Sequence, residues 1–212
     1  MKHSIAGPSG KLEAQLWLPE EGAAPKAVCA FCHPHPQGGG SMDSTVVFRA
    51  ASGLRAAGVG VVRFNFRGIG ASEGVSLGEE SAAGEEGDLS AVLDWLGSRF
   101  PGLPLWAGGF SFGSRISAGL ALRQPRIQRL VLVATPVLAY PCEALAQLRT
   151  PGYLLMAGQD DFGTLAAVKS SFPKLATVLE MDEIAGAEHF FAGHVRELET
   201  KIKTWARREL DD

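Results

Sequence analysis

The chain has 212 residues, of which 46% are apolar and 20% charged, with a formal net charge of −3. That length suits one domain with a sizeable core. The weak negative charge leaves no basic footprint for nucleic acid or for an anionic membrane surface.

In chain order, residues 3–7 and 10–18 predict an antiparallel edge hairpin. Ala27–His33 is a compact apolar run and predicts a buried strand. Cys29 and Cys32 within it have the spacing of a redox or metal pair. A buried strand is the wrong setting for one, so free thiols in a reducing compartment are expected. With Cys142 the cysteines number three, which implies no complete disulfide framework. Val47, Ala50, Ala51, Leu54 and Ala57 fall at helical spacing over 43–57, and Gly58 closes the segment. Val59–Phe66 is the next strand, and 84–97 the next helix. Leu105–Phe110 predicts a strand running straight into a helix over 112–123. Strands follow at Leu130–Ala134, Tyr153–Ala157 and Val178–Ile184, with short helices at 141–149 and 164–172. Phe191, Val195, Leu198, Ile202 and Trp205 form the core-facing stripe of a final helix, which includes His194 as a surface residue. No run is long and apolar enough for a membrane span, and the first residues lack a signal-peptide core. A cytoplasmic location is expected.

Alternating strands and helices imply a mostly parallel sheet covered on both faces. Chemistry in such sheets gathers at the carboxyl ends of the strands. There the sequence places Gly109-Phe110-Ser111-Phe112-Gly113, a G-x-S-x-G motif between a strand and an apolar helix. Glycine is needed on both sides because backbones crowd at so sharp a turn. Ser111 is the candidate nucleophile. A serine needs a histidine base, and the histidine needs an acidic orienter. Only His189 and His194 follow Ser111. His189, in a loop after the last strand, is the candidate base. Asp160 and Asp161 both follow the strand Tyr153–Ala157, and either could reach the histidine while the other caps a helix. For the oxyanion hole, the loop after Ala27–His33 reads His33-Pro34-His35-Pro36. The prolines have no N–H, so the amides of His35 and Phe112 are the candidate donors. A zinc reading of His33 and His35 lacks further ligands.

The segment Asn65-Phe66-Arg67-Gly68-Ile69-Gly70-Ala71-Ser72 resembles the D-x-R-G-x-G-x-S signature of α/β-hydrolases, with Asn65 in the place of the usual Asp. Together with Cys32-His33-Pro34-His35-Pro36, Gly39-Gly40-Ser41-Met42-Asp43 and the G-x-S-x-G motif, it looks like a family of small bacterial α/β-hydrolases. These have no cap domain and are close to the dienelactone-hydrolase-like group, with serine in place of its cysteine. The resemblance covers about residues 27–192. It implies an α/β-hydrolase fold and a Ser-His-Asp triad of Ser111, His189 and Asp161. It also aligns the family's oxyanion loop with His33–Pro36. The Asn65 departure is expected to touch loop support rather than chemistry. The short gap between the strands at Leu130–Ala134 and Tyr153–Ala157 has no room for a cap. The site is therefore expected to be open, with Val137, Leu138, Tyr140, Phe162 and Phe190 as candidate substrate-binding residues. Phe112 is a further candidate, and Phe110 is expected in the core.

The expected activity is hydrolysis of carboxylic esters or thioesters of small to medium acyl groups. The expected partner is a small-molecule ester, without cofactor, metal, nucleic acid or membrane. Edge strands and short helices would allow a homodimer. One alternative is a non-catalytic binding protein on a hydrolase fold, against which the ordered Ser, Asp and His speak. The other is a dinucleotide-binding oxidoreductase. Its fingerprint is mis-spaced here, because Gly68, Gly70 and Gly74 read G-x-G-x-x-x-G with no apolar helix opening after them.

Overall fold

The computed structural model describes residues 1–20, 23–76 and 82–211. Eight strands form one sheet: β1 (Lys2–Gly7), β2 (Gly10–Trp17), β3 (Ala27–Cys32), β4 (Val59–Phe64), β5 (Leu105–Phe110), β6 (Ile127–Val133), β7 (Gly152–Ala157) and β8 (Leu179–Ile184). Their spatial order is β1-β2-β4-β3-β5-β6-β7-β8. β1 pairs antiparallel with β2 and β2 antiparallel with β4, while the other pairings are parallel. This is the α/β-hydrolase fold.

The helices are α1 (Thr45–Ala57), α2 (Ala82–Arg99), α3 (Phe112–Ala121), α4 (Ala144–Gln147), α5 (Leu165–Ser171) and α6 (Val195–Asp211). Residues alternate sides along a strand, so β3 feeds two cores. Val28, Ala30 and Cys32 pack with Leu89 and Val92 of α2 and Ile116 of α3. Ala27, Cys29 and Phe31 pack with Val47 and Leu54 of α1 and Ile202 and Trp205 of α6. A strand covered on both faces must be apolar throughout, which explains AVCAFC. It also separates Cys29 and Cys32 onto opposite faces of the sheet. Both are free, and burial raises both thiol pKa values.

Two segments differ from the expected elements. α6 begins at Val195, so neither Phe191 nor His194 lies in it. Phe191 is fully buried in the same core but adopts a left-handed φ of 56°. His194 is the half-buried residue before the helix, with Nδ1 3.5 Å from Glu197. The helical spacing of Phe191 was therefore shared packing without shared helix. As expected, Gly58 ends α1 in the left-handed region, at φ 110°. Between β6 and β7, residues 134–151 contain the four-residue α4 and no cap.

Candidate active site

Ser111 stands between β5 and α3 with φ 54° and ψ −119°, a conformation that L-residues rarely adopt. The two flanking glycines are what allow it. A Cβ on Gly109 would lie 2.3 Å from the Gly113 carbonyl carbon, and one on Gly113 would lie 2.6 Å from the carbonyl oxygens of Cys32 and His33. The turn is then pinned from both sides. The Ser111 N–H donates to Val133 O at 2.8 Å. The Ser111 carbonyl accepts from the Ser114 N–H at 2.9 Å and from Ser114 Oγ at 2.6 Å. Ser114 Oγ also lies 3.0 Å from Thr135 Oγ1, at the end of β6. Neither Ser114 nor Thr135 stood out in the sequence, because buried hydroxyls on a helix and at a strand end look alike everywhere.

His189 follows β8. Its Nδ1 lies 2.7 Å from Asp160 Oδ2 and its Nε2 lies 3.0 Å from Ser111 Oγ. With Nδ1–H donating to the carboxylate, the Nε2 lone pair faces the serine hydroxyl. All three groups are buried, between 3% and 7% exposed.

The aspartate is a correction. Asp161, expected from the resemblance, is exposed, and it is Asp160 whose Oδ2 meets the histidine. Residues 160–163 form a turn closed by the Gly163 N–H on Asp160 O at 3.2 Å. Asp160 Oδ1 accepts the Phe162 N–H at 2.8 Å, which leaves Oδ2 for His189. Asp at the first position of such a turn and Gly at the fourth is a recognised preference. That signal, Asp160-Asp161-Phe162-Gly163, singles out Asp160.

The histidine loop is held by its neighbour Glu188, which no sequence motif marks. Its carboxylate accepts the Phe190 N–H at 2.9 Å and the Ala192 N–H at 2.8 Å. Slight burial opposes ionisation of this carboxyl, but those two amides prevail and hold its pKa below the ordinary value. Among the described residues, the non-glycine positions with left-handed φ are Ser111, Ala134 and Phe191. Each borders this site: Ala134 precedes Thr135, and Phe191 lies two residues after His189. Such strain collects where the surrounding structure over-determines a functional geometry.

Phe112 is the first residue of α3, where an N–H has no acceptor within the helix. The His35 ring packs edge-on against the Phe112 ring, 5.0 Å between centroids. The His35 carbonyl accepts the N–H groups of Gly38 and Gly40, both at 3.1 Å, so the loop folds tightly on itself. His33 anchors the loop from below. It donates from Nδ1 to Pro34 O at 2.7 Å and accepts the Phe66 N–H on Nε2 at 3.0 Å. Both ring nitrogens are thus engaged within the protein, which leaves none for a metal. Burial, partly offset by the bond to Pro34, lowers the His33 pKa to about 4. Asn65 Oδ1 accepts the Met42 N–H at 2.8 Å, and its Nδ2 donates to Glu13 Oε2 at 2.8 Å. An aspartate could not donate to that carboxylate, which accounts for the departure from the usual signature.

A cleft of about 850 Å³ opens over Ser111 and His189. Of the expected substrate-binding residues, Tyr140, Phe162 and Phe190 line it, and so does Phe110, which also reaches the core. Val137 and Leu138 do not. Val137 packs against the core, and Leu138 projects into solvent while its N–H binds Phe162 O at 2.9 Å. Phe112 is wholly in the core. The far wall comes from Ser44, Thr45 and Val46 at the start of α1, which the sequence did not point to.

Fold, strand-end serine and strand-end histidine together define a serine hydrolase of the α/β-hydrolase class. Residues 23–148 match the family described as serine aminopeptidase, S33, and the chain belongs to that family. An α/β serine hydrolase homologue of Coxiella burnetii is 35% identical, with 96% of each chain covered and a TM-score of 0.88. An α/β serine hydrolase of Xanthomonas campestris, described as without lid, is 31% identical over 100% of this chain and 95% of its own, with a TM-score of 0.89. A dienelactone hydrolase of Anabaena variabilis shares the fold at 21% identity and a TM-score of 0.77, covering 97% of this chain and 95% of its own. Among the described residues, no helix is long and apolar enough to cross a membrane.

Proposed function

We propose that the chain hydrolyses carboxylic esters or thioesters of small to medium acyl groups through an acyl-enzyme on Ser111. The observation that carries this reading is the hydrogen-bonded series Ser111 Oγ, His189 Nε2, His189 Nδ1, Asp160 Oδ2, at 3.0 and 2.7 Å. In the first half-reaction the Ser111 Oγ–carbon bond forms while the hydroxyl proton passes to His189 Nε2. Asp160 keeps the ring in the required tautomer and stabilises the imidazolium. The amides of His35 and Phe112 receive the oxyanion. The tetrahedral intermediate collapses, the bond to the leaving oxygen or sulfur breaks, and His189 returns its proton to the leaving group. Water repeats the sequence on the acyl-serine and releases the acid.

The test is covalent capture by a fluorophosphonate, with mapping of the modified residue, alongside turnover of p-nitrophenyl esters. Modification at Ser111, abolished in His189→Ala, is expected. Ser111→Ala should lower kcat/KM by four or more orders of magnitude, and adding His189→Ala should cost little more. A folded Ser111→Ala variant with near-normal turnover would end this reading and favour a binding protein.

A further inference from the structure

Resting on the reading of Ser111 as nucleophile, we infer that this site selects uncharged apolar esters and discriminates against acyl or leaving groups that carry carboxylate or phosphate. Among the described residues, the walls of its cleft contain no Lys, Arg, Asp or Glu. An anionic substituent entering it would lose water and gain no counter-ion.

Two arginines that pack near those walls, Arg63 and Arg115, are engaged elsewhere, and Arg49 pairs with Glu199 at 3.0 Å. Arg63 is 2% exposed, donates to Met42 O at 2.6 Å and Gln15 Oε1 at 2.8 Å, and lies 4.1 Å from the Trp17 ring. Arg115 donates its Nε to Pro141 O at 2.7 Å. Of the exposed charged residues adjacent in sequence to the lining residues, three are carboxylates, Asp43 before Ser44, Asp161 before Phe162 and Glu188 before His189, and one is a cation, Arg196 after Val195. Carboxylates outnumber the cation in that set, so its net charge opposes an approaching anion.

What the mouth does present is apolar. Phe162 and Phe190, which line it, are 42% and 59% exposed, two of the seven large hydrophobic side chains that the described residues leave exposed. Their concentration at one opening marks a recognition surface. Phe162 and Phe190 flank the His189 ring, with centroids 4.6 and 5.2 Å away. An alkyl or aryl group on either side of a scissile carbonyl at Ser111 would lie along them. Leu138 is tied beside Phe162 by the backbone bond between them. The cleft volume is within the range of sites that enclose drug-sized ligands.

The experiment compares p-nitrophenyl octanoate with the p-nitrophenyl monoester of a dicarboxylic acid of equal length. It likewise compares octanoyl-coenzyme A with the phosphate-free octanoyl thioester of N-acetylcysteamine. The neutral member of each pair should have at least a tenfold higher kcat/KM. Phe190→Lys, a change at an exposed position, should narrow both ratios about tenfold. Phe190→Ala should reduce the ratio of octanoate to acetate ester about tenfold. Equal or faster turnover of the anionic members, or ratios unmoved by Phe190→Lys, would overturn the inference. The same preparations are tested with a neutral alkyl fluorophosphonate. Labelling at Ser111 without charge discrimination overturns the substrate class and leaves the hydrolase reading standing. Absence of labelling together with absence of turnover overturns both.

Discussion

The turn after β5 and the turn after β7 sit at the same edge of the sheet, and they are held in opposite ways. The first is fixed by backbone crowding: Gly109 and Gly113 leave no room for a Cβ, and Ser111 takes up the strain. The second is fixed by one side chain, with Asp160 bonded at once to its own turn and to His189. Crowding of main chains restricts residue type, so it leaves a mark in the sequence. A hydrogen-bonded carboxylate restricts direction, and two adjacent aspartates leave nearly the same mark whichever is used. The candidate nucleophile is thus readable at the first turn, and the candidate acid at the second is ambiguous by one residue.

The largest effect expected from this contrast lies in the second turn. Asp160→Asn should lower kcat by about 10⁴-fold, because the amide favours the wrong histidine tautomer. Asp161→Asn should stay within about twofold. The reverse order, measured on ester turnover, would return the acid to Asp161. In the first turn the main consequence should be structural. Gly109→Ala should cost about 3 kcal/mol of stability or prevent folding, since backbone rather than a movable side chain stands 2.3 Å from the new methyl. Urea unfolding with a normal midpoint would show that the turn can relax.

His33 extends the contrast to the oxyanion loop, which a buried neutral side chain holds. Its pKa falls from 6.5 to about 4 on folding, so the unfolded chain binds the extra proton between those values. The stability associated with neutral His33 is present above pH 6.5 and is lost as pH falls toward 4, by about 3 kcal/mol. Urea midpoints measured across that window should decline less in His33→Gln than in the parent chain. Equal slopes would mean that His33 titrates normally in the fold.

The smallest expected effect concerns Glu188. Its pKa is lowered in the fold, so its support is present above the ordinary glutamate value and lost as pH falls through the lowered one. Hydrogen exchange at the Phe190 and Ala192 amides should quicken in Glu188→Ala, with kcat/KM down a few-fold. Unchanged exchange would show that the buried Phe191 anchors the histidine loop without help.

The sequence alone determined the sheet and its covering helices. Apolar runs of strand length, helical stripes and a closing Gly58 are local patterns, and burial on one or both faces imposes them directly. It also marked Ser111 and His189 as candidate partners, because the strained turn demands its glycines and few histidines follow it. Tertiary structure decided the rest. It chose Asp160 over Asp161 by the direction of a turn, and it took Phe191 out of the final helix while leaving it in the same core. It placed Val137 and Leu138 outside the cleft and brought the start of α1 into it. It also gave His33, Asn65 and Glu188 their supporting bonds. Each of those depends on where segments far apart in the chain meet. Spacing along one segment records which face a residue occupies, and it holds no record of what stands opposite.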